Sequence, residues 1–215
     1  MKRLISQLNN IPDSVHMQIE DRLNEFRRVR HEGKDKLFLE LCFCFLTANY
    51  DAAKSIKIHD AIGRGFLELS EEELALQLRS LGYRFPNMRA RYAVEARKHM
   101  DYLYNTIYPH ANEFTYEDEH NLRVWIDNNI KGIGFKEASH FLRNVGYNKL
   151  AIVDFHIMDI LVEHKLIEPY TSRSLSKNKY VEIEKKIHKL GNRVGMDMAK
   201  LDYCLWYIET GKVLK

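Results

Sequence analysis

Apolar residues recur at every third or fourth position along most of the chain. Val15, Ile19, Leu23 and Phe26 share one face of a helix that starts near Asp13 or Ser14, behind Pro12. Gly33 breaks the pattern, and positions 37–46 are almost wholly apolar, which predicts a helix buried on all sides. Asp51 is placed to cap a helix running to Ile62, where Gly63 and Gly65 stop it. Ser70, followed by Glu71, Glu72 and Glu73, reads as a cap with an acidic first turn, opening a short helix to Leu81. Pro86 biases Phe85 away from the α region, so a loop covers 82–87. Asn87 then starts a long helix to about Tyr104, packing through Ala90, Ala93, Val94 and Ala96. Further helices are predicted over 119–128, from Glu137 to about Val145, behind Asp154 to Glu163 or His164, and near 180–190 and 196–209. No clear strand and no repeat is visible, and nearly all breaks are short. The pattern predicts an all-α chain packed as one integrated unit over 1–215.

Composition narrows the class. The 215 residues can bury a sizeable core, and 45% hydrophobic with 29% charged positions is an ordinary globular mix. Three cysteines cannot build a paired disulfide framework, and Cys42 and Cys44 lie in an apolar run; both facts point to a reducing, cytoplasmic setting. Those two cysteines read as core, because residues i and i+2 of a helix point about 200° apart and do not share a metal. Ten histidines show no ligand spacing, although His140 and His156 fall near the segments discussed next. No apolar run approaches the ~20 residues that span a bilayer. The basic-then-apolar start is interrupted by Gln7, Asn9 and Asn10 before a signal-peptide core forms. With 33 basic and 30 acidic residues, a net charge of +3 neither announces nor excludes a nucleic-acid partner. The polar stretch 171–178, with Arg173 and Lys177, fits either a solvated connector or a phosphate-contacting loop.

Candidate chemistry begins at Ile130-Lys131-Gly132-Ile133-Gly134-Phe135-Lys136. Two glycines around one apolar residue make a tight turn between helices, with Ile133 free to plug into the core. Turn amides and a helix N-terminus attract phosphate, and Lys131 beside them completes a clamp for a nucleic-acid backbone. Gly132 and Gly134 alone read as an ordinary helical hairpin. Lys136 adds a distinct signal, since the positive end of a helix dipole favours anions, not ammonium groups. A free lysine, with a pKa near ~10.4, is almost wholly protonated at pH 7, whereas a Schiff base needs the neutral amine. A surface lysine whose stem carries its charge back into water is the alternative. Eighteen residues on, Asp154 follows the apolar run 151–153. It is placed to cap the next helix, or to hold a carboxylate at a cleft edge where a cation develops or a proton moves.

The string IKGIGFKEASHFLRN (130–144), with Ile152-Val153-Asp154-Phe155-His156 after it, resembles the helix-hairpin-helix glycosylase superfamily of DNA base-excision repair. Segment 41–49, the loop at Arg84-Phe85-Pro86-Asn87, segment 134–144 and the terminal lysine narrow the likeness to the small archaeal-type 8-oxoguanine DNA glycosylase/lyases, over essentially the whole chain. The resemblance implies an all-α helix-hairpin-helix fold, the motif spanning about 119–146, with two helical subdomains and the lesion pocket between them. The N-terminal helix and 154–215 would form one subdomain and about 36–145 the other. It further implies Lys136 as the nucleophile at C1′ and Asp154 as the assisting carboxylate. Phe85, Trp206 and Lys215 would read the flipped base; from the residues alone, Trp206 reads as core and Lys215 as a frayed end. Lys131, Gly132, Gly134 and Arg143 would meet the DNA backbone. The partner would be double-stranded DNA containing oxidised guanine, bound by a monomer at the nucleoid. No metal or cofactor is required: the four-cysteine array of an iron–sulfur branch is missing from the sequence, and a monovalent cation on the hairpin carbonyls is the one ion some relatives carry. Phe155 departs from the pattern, since many superfamily members have a polar or basic residue there. The charge balance then predicts a local field, with Lys131, Lys136 and Arg143 facing the DNA cleft together with Arg84 and Arg89.

Overall fold

The computed structural model describes residues 1–107, 114–172 and 174–214, so Arg173 and Lys215 lie outside it. Among the described residues the chain forms helices and no strand. In order they are α1 (Lys2–Asn9), α2 (Asp13–Val29), α3 (Lys34–Thr47), α4 (Ala52–Ile62), the single turn α5 (Gly65–Glu68), α6 (Glu71–Ser80) and α7 (Pro86–Ala96). A 3-10 turn at Arg97–His99 leads into α8 (Met100–Ile107). Then follow α9 (Tyr116–Asn129), α10 (Phe135–Asn144), α11 (Phe155–Glu163), α12 (Lys177–Val194) and α13 (Met198–Thr210). No helix among the described residues is long and apolar enough to cross a membrane.

Side-chain caps set many of these starts. Asp51 accepts from the Lys54 amide, and Ser70 with Glu73 closes a reciprocal capping box. Thr115 and Asp118 form a second box, which starts α9 three residues ahead of the expected Glu119. The expected long helix from Asn87 to Tyr104 is two helices joined by a 3-10 turn. The tightening falls where the Arg97 guanidinium leaves the helix to donate to the carbonyls of Phe66 and Leu69, at 2.7 to 3.0 Å. α1 and α5 are additions to the predicted set. Gly63, at φ 49°, ends α4, and the chain restarts almost at once.

The core forms two clusters. One gathers α3 to α10, from Val29 to Leu150, around α3, which is buried on nearly every face as its apolar run predicts. The other joins Leu4 to Phe26 of α1 and α2 with residues from Ala151 to Leu205. Each fully buried Leu or Phe contributes about 1.5–3 kcal/mol, so neither cluster is incidental. Helix α10 belongs to both. Ala138, Phe141 and Leu142 pack into the first cluster, and Phe135 into the second.

Candidate active site

The hairpin runs from the end of α9 to the start of α10. Gly132 has φ 88°, a conformation L side chains resist, and a Cβ there would lie 2.2 Å from a Tyr92 ring carbon. Both facts require glycine, so the turn rests directly on α7. Gly134 is different: at φ −98° and ψ −173° it is extended backbone, and a Cβ would meet only Glu137 Oε2 at 3.5 Å. The conformational demand expected of both glycines therefore falls on Gly132 alone. Ile133 is buried and plugs the turn. Lys131 is exposed, with Nζ 5.9 Å from the Tyr92 ring centroid.

Gly134 caps α10 without a side-chain hydrogen bond, so the first-turn amides have no side-chain partner there. Lys136 sits in that first turn, its side chain 27% exposed and its Nζ 3.7 Å from Glu137 Oε1. It is neither a fully solvated surface lysine nor a sealed one.

Residues 151–153 are buried, and the chain then reaches Asp154. Asp154 does cap α11: its Oδ1 accepts from the Ile157 amide at 2.9 Å. Among the described residues no hydrogen bond reaches Oδ2. Capping and chemistry are compatible here, because one oxygen orients the carboxylate and the other stays available.

What joins the two is Asp202 of α13. Burial pushes its carboxyl up to about 6, helped by the like charge of Asp154, and opposed by Arg143 and by the positive charge of Lys136. Lys136 and Asp154, on different elements, thus act on one buried carboxylate. The sequence reading missed Asp202; its signal was a lone acid inside the apolar pattern of 198–208.

Asp202 pairs with Arg143, and this corrects the expectation that Arg143 meets the DNA backbone. Arg143 is 7% exposed. Its guanidinium bonds Asp202, donates to Asn144 Oδ1 and lies 4.6 Å from the Tyr203 ring centroid. Asn144 in turn donates to buried Glu40 of α3 at 3.3 Å. Arg89 is likewise internal, donating to the Ala48 carbonyl at 3.0 Å, and does not join an exposed basic face. Arg84 is exposed.

Of the base-reading residues, Phe85 sits half-buried just ahead of α7, at the edge of the first cluster, with the Arg84 guanidinium 4.8 Å from its ring centroid. Trp206 is half-buried on α13, its ring 4.8 Å from that of His156, and its indole N–H has no hydrogen-bond partner among the described residues. Lys215 lies outside the described residues. His140 is buried and packs edge-on against Phe43 of α3, while Phe155 is 39% exposed beside His156. Cys42 and Cys44 are buried, and burial pushes both thiols up, as befits core residues.

The family model described as 8-oxoguanine DNA glycosylase matches residues 19–196. A Korarchaeum cryptofilum protein named 8-oxoguanine DNA glycosylase/AP lyase is 45% identical over 197 residues, covering 92% of this chain and 90% of that one. A Methanocaldococcus jannaschii protein of the same name is 43% identical over 213 residues, 99% of each. The crystal structure of the Thermotoga maritima 8-oxoguanine DNA glycosylase has a TM-score of 0.90 at 39% identity, covering 100% of this chain and 99% of that one. The Methanocaldococcus jannaschii enzyme, solved in complex with a 15mer DNA containing 8-oxoguanine, also has a TM-score of 0.90, at 41% identity, covering 99% and 100%.

Proposed function

The chain belongs to the 8-oxoguanine DNA glycosylase family, and from that premise we propose that it excises 8-oxoguanine from DNA and cleaves the strand at the abasic site. Lys136 is the nucleophile. Its neutral amine forms a bond to C1′ while the glycosidic bond breaks and the base leaves with the electron pair, taking up a proton. Ring opening gives a Schiff base. Loss of a C2′ proton then expels the 3′-phosphate by β-elimination. Asp154 stabilises the positive charge developing at C1′ and moves a proton. The observation that carries this reading is a partly exposed Lys136 in the first turn of α10 together with Asp154, which caps α11 through Oδ1 alone.

Binding follows from the same parts. The uncapped start of α10 and exposed Lys131 hold the backbone through Gly132 and Gly134. Extruding a base costs a few kcal/mol, and stacking on Phe85 and Trp206 offsets about 1–3 kcal/mol per ring. Lys215 is assigned to base reading by the family resemblance alone. The two core clusters correspond to two subdomains, with the lesion held where α10 joins them. The protein works as a monomer without a cofactor. The Ile130 carbonyl accepts from the Ile133 amide and that of Gly134 from Ala138, so a monovalent cation at the hairpin would use the oxygens of Lys131, Gly132 and Ile133.

Borohydride trapping tests the reading. Wild type and an 8-oxoguanine duplex should give a covalent adduct, and Lys136→Gln should give none while binding the duplex within about twofold of wild type. Undiminished trapping by Lys136→Gln would assign the chemistry to another amine.

A further inference from the structure

Residues 151–153 run buried toward Asp154, with no strand beside them among the described residues. Buried backbone groups need partners, and here side chains of α12 supply them. Glu184 Oε1 accepts from the Ala151 amide at 2.9 Å. The Tyr180 hydroxyl accepts from the Val153 amide at 3.0 Å. Its own proton is shared between the Ala151 carbonyl at 2.9 Å and Ser139 Oγ at 3.2 Å. Tyr180 and Glu184 are four apart on α12, so one helical face pairs this stretch as a neighbouring strand would.

Ser139 is the other end of the bridge. It donates to the Phe135 carbonyl at 2.9 Å and accepts from Arg123 at 3.2 Å, so it is fixed within α10. It stands one turn from Lys136, and Val153 directly precedes Asp154. One hydroxyl therefore touches the helix that bears the amine and the extended stretch that leads into the carboxylate.

We propose that Tyr180 is a positioning residue, its buried hydroxyl fixing the stretch 151–153 against α10 and thereby the placement of Asp154 relative to Lys136. Tyr180 touches no reacting atom; it acts through Ser139 and Val153. Its ring packs edge-on against Phe135 at 5.7 Å, so a phenylalanine at 180 keeps the packing and deletes only the bridge. Catalytic geometry is sensitive to small displacement, a shift of about 1 Å costing up to about a hundredfold in rate.

The inference rests on the Schiff-base chemistry assigned to Lys136, and the test separates the two. Wild type, Tyr180→Phe and Ser139→Ala are compared at a temperature where circular dichroism shows all three folded. Two quantities are read: the single-turnover rate of borohydride-trappable adduct on an 8-oxoguanine duplex, and the Kd for a duplex carrying a tetrahydrofuran abasic analogue. Tyr180→Phe should lose about tenfold or more in rate, and Ser139→Ala about threefold or more, with Kd within about twofold for both. A folded Tyr180→Phe with a rate within about twofold of wild type overturns the proposal, as does a loss of rate matched by a loss of affinity. If Tyr180→Phe does not fold, Ser139→Ala decides by the same comparison. A wild type that forms no adduct overturns the Schiff-base reading and this inference with it, a result distinct from an active wild type beside an unimpaired Tyr180→Phe.

Discussion

Helix α10 is held by two buried arginine–carboxylate pairs of the same chemical type, and they differ in completeness. Arg123 and Glu184 are wholly buried, with two contacts of 2.8 Å between them. Glu184 also accepts from the Tyr116 hydroxyl and the Ala151 amide, and Arg123 lies 4.7 Å from the Phe135 ring centroid. Both carboxylate oxygens are met by more than one donor. Arg143 and Asp202 are 7% and 12% exposed at the side chain, and Asp202 faces the charges of Asp154 and Lys136. The difference lies in the carboxylates, since Arg123 Nε itself has no partner among the described residues, and a carboxylate met on both oxygens makes a scaffold. Asp202 is bonded by Arg143 alone among the described residues and is raised by burial, the kind of perturbed acid that gathers at functional sites.

The comparison can be broken at its strong end first. Glu184→Ala strands a buried guanidinium and an amide, so we expect a loss of about 3–5 kcal/mol in urea unfolding. A loss below about 1 kcal/mol would remove the distinction between the pairs. Asp202→Asn keeps an oxygen for Arg143 and removes a buried charge, so it is expected to cost no stability at pH 7, and a loss above about 3 kcal/mol would contradict this. Its effect on pH dependence is sharper. The folded value of Asp202, about 6, lies above the ordinary 3.8. Stability tied to the protonated acid is therefore complete below about pH 4 and is lost as pH rises through about 6. The fall in unfolding free energy across that window should be shallower in Asp202→Asn; an unchanged slope would place Asp202 outside the titration. The smallest effect separates outward from inward cations. Lys131→Ala should reduce the slope of log K against log salt by about 0.9, the release expected for one phosphate contact. Arg143→Lys should leave that slope as in wild type, and an equal reduction would return Arg143 to the DNA face.

Much of this was legible in the residues. Repeating apolar positions gave most helices, and Ser70 and Asp51 gave their caps, because these are local interactions that sequence spacing encodes. The hairpin and Asp154 were legible as a spaced pair. α1 was not read as a helix, since Leu4 and Leu8 give only one i,i+4 pair. The split after α7 depends on Arg97 reaching carbonyls about thirty residues away, which no local pattern carries. Arg143 reads as a surface cation until α13 supplies Asp202, 59 residues on. Tyr180, Ser139 and Glu184 look like unremarkable helix positions, and their function is defined only by the backbone they meet.

The central claim is that Lys136 forms the covalent intermediate. Digestion of the borohydride-trapped wild-type complex, followed by peptide mass spectrometry, tests it most directly. The account predicts the deoxyribose adduct on Lys136. An adduct on another lysine or on the N-terminal amine, with Lys136 unmodified, would contradict it.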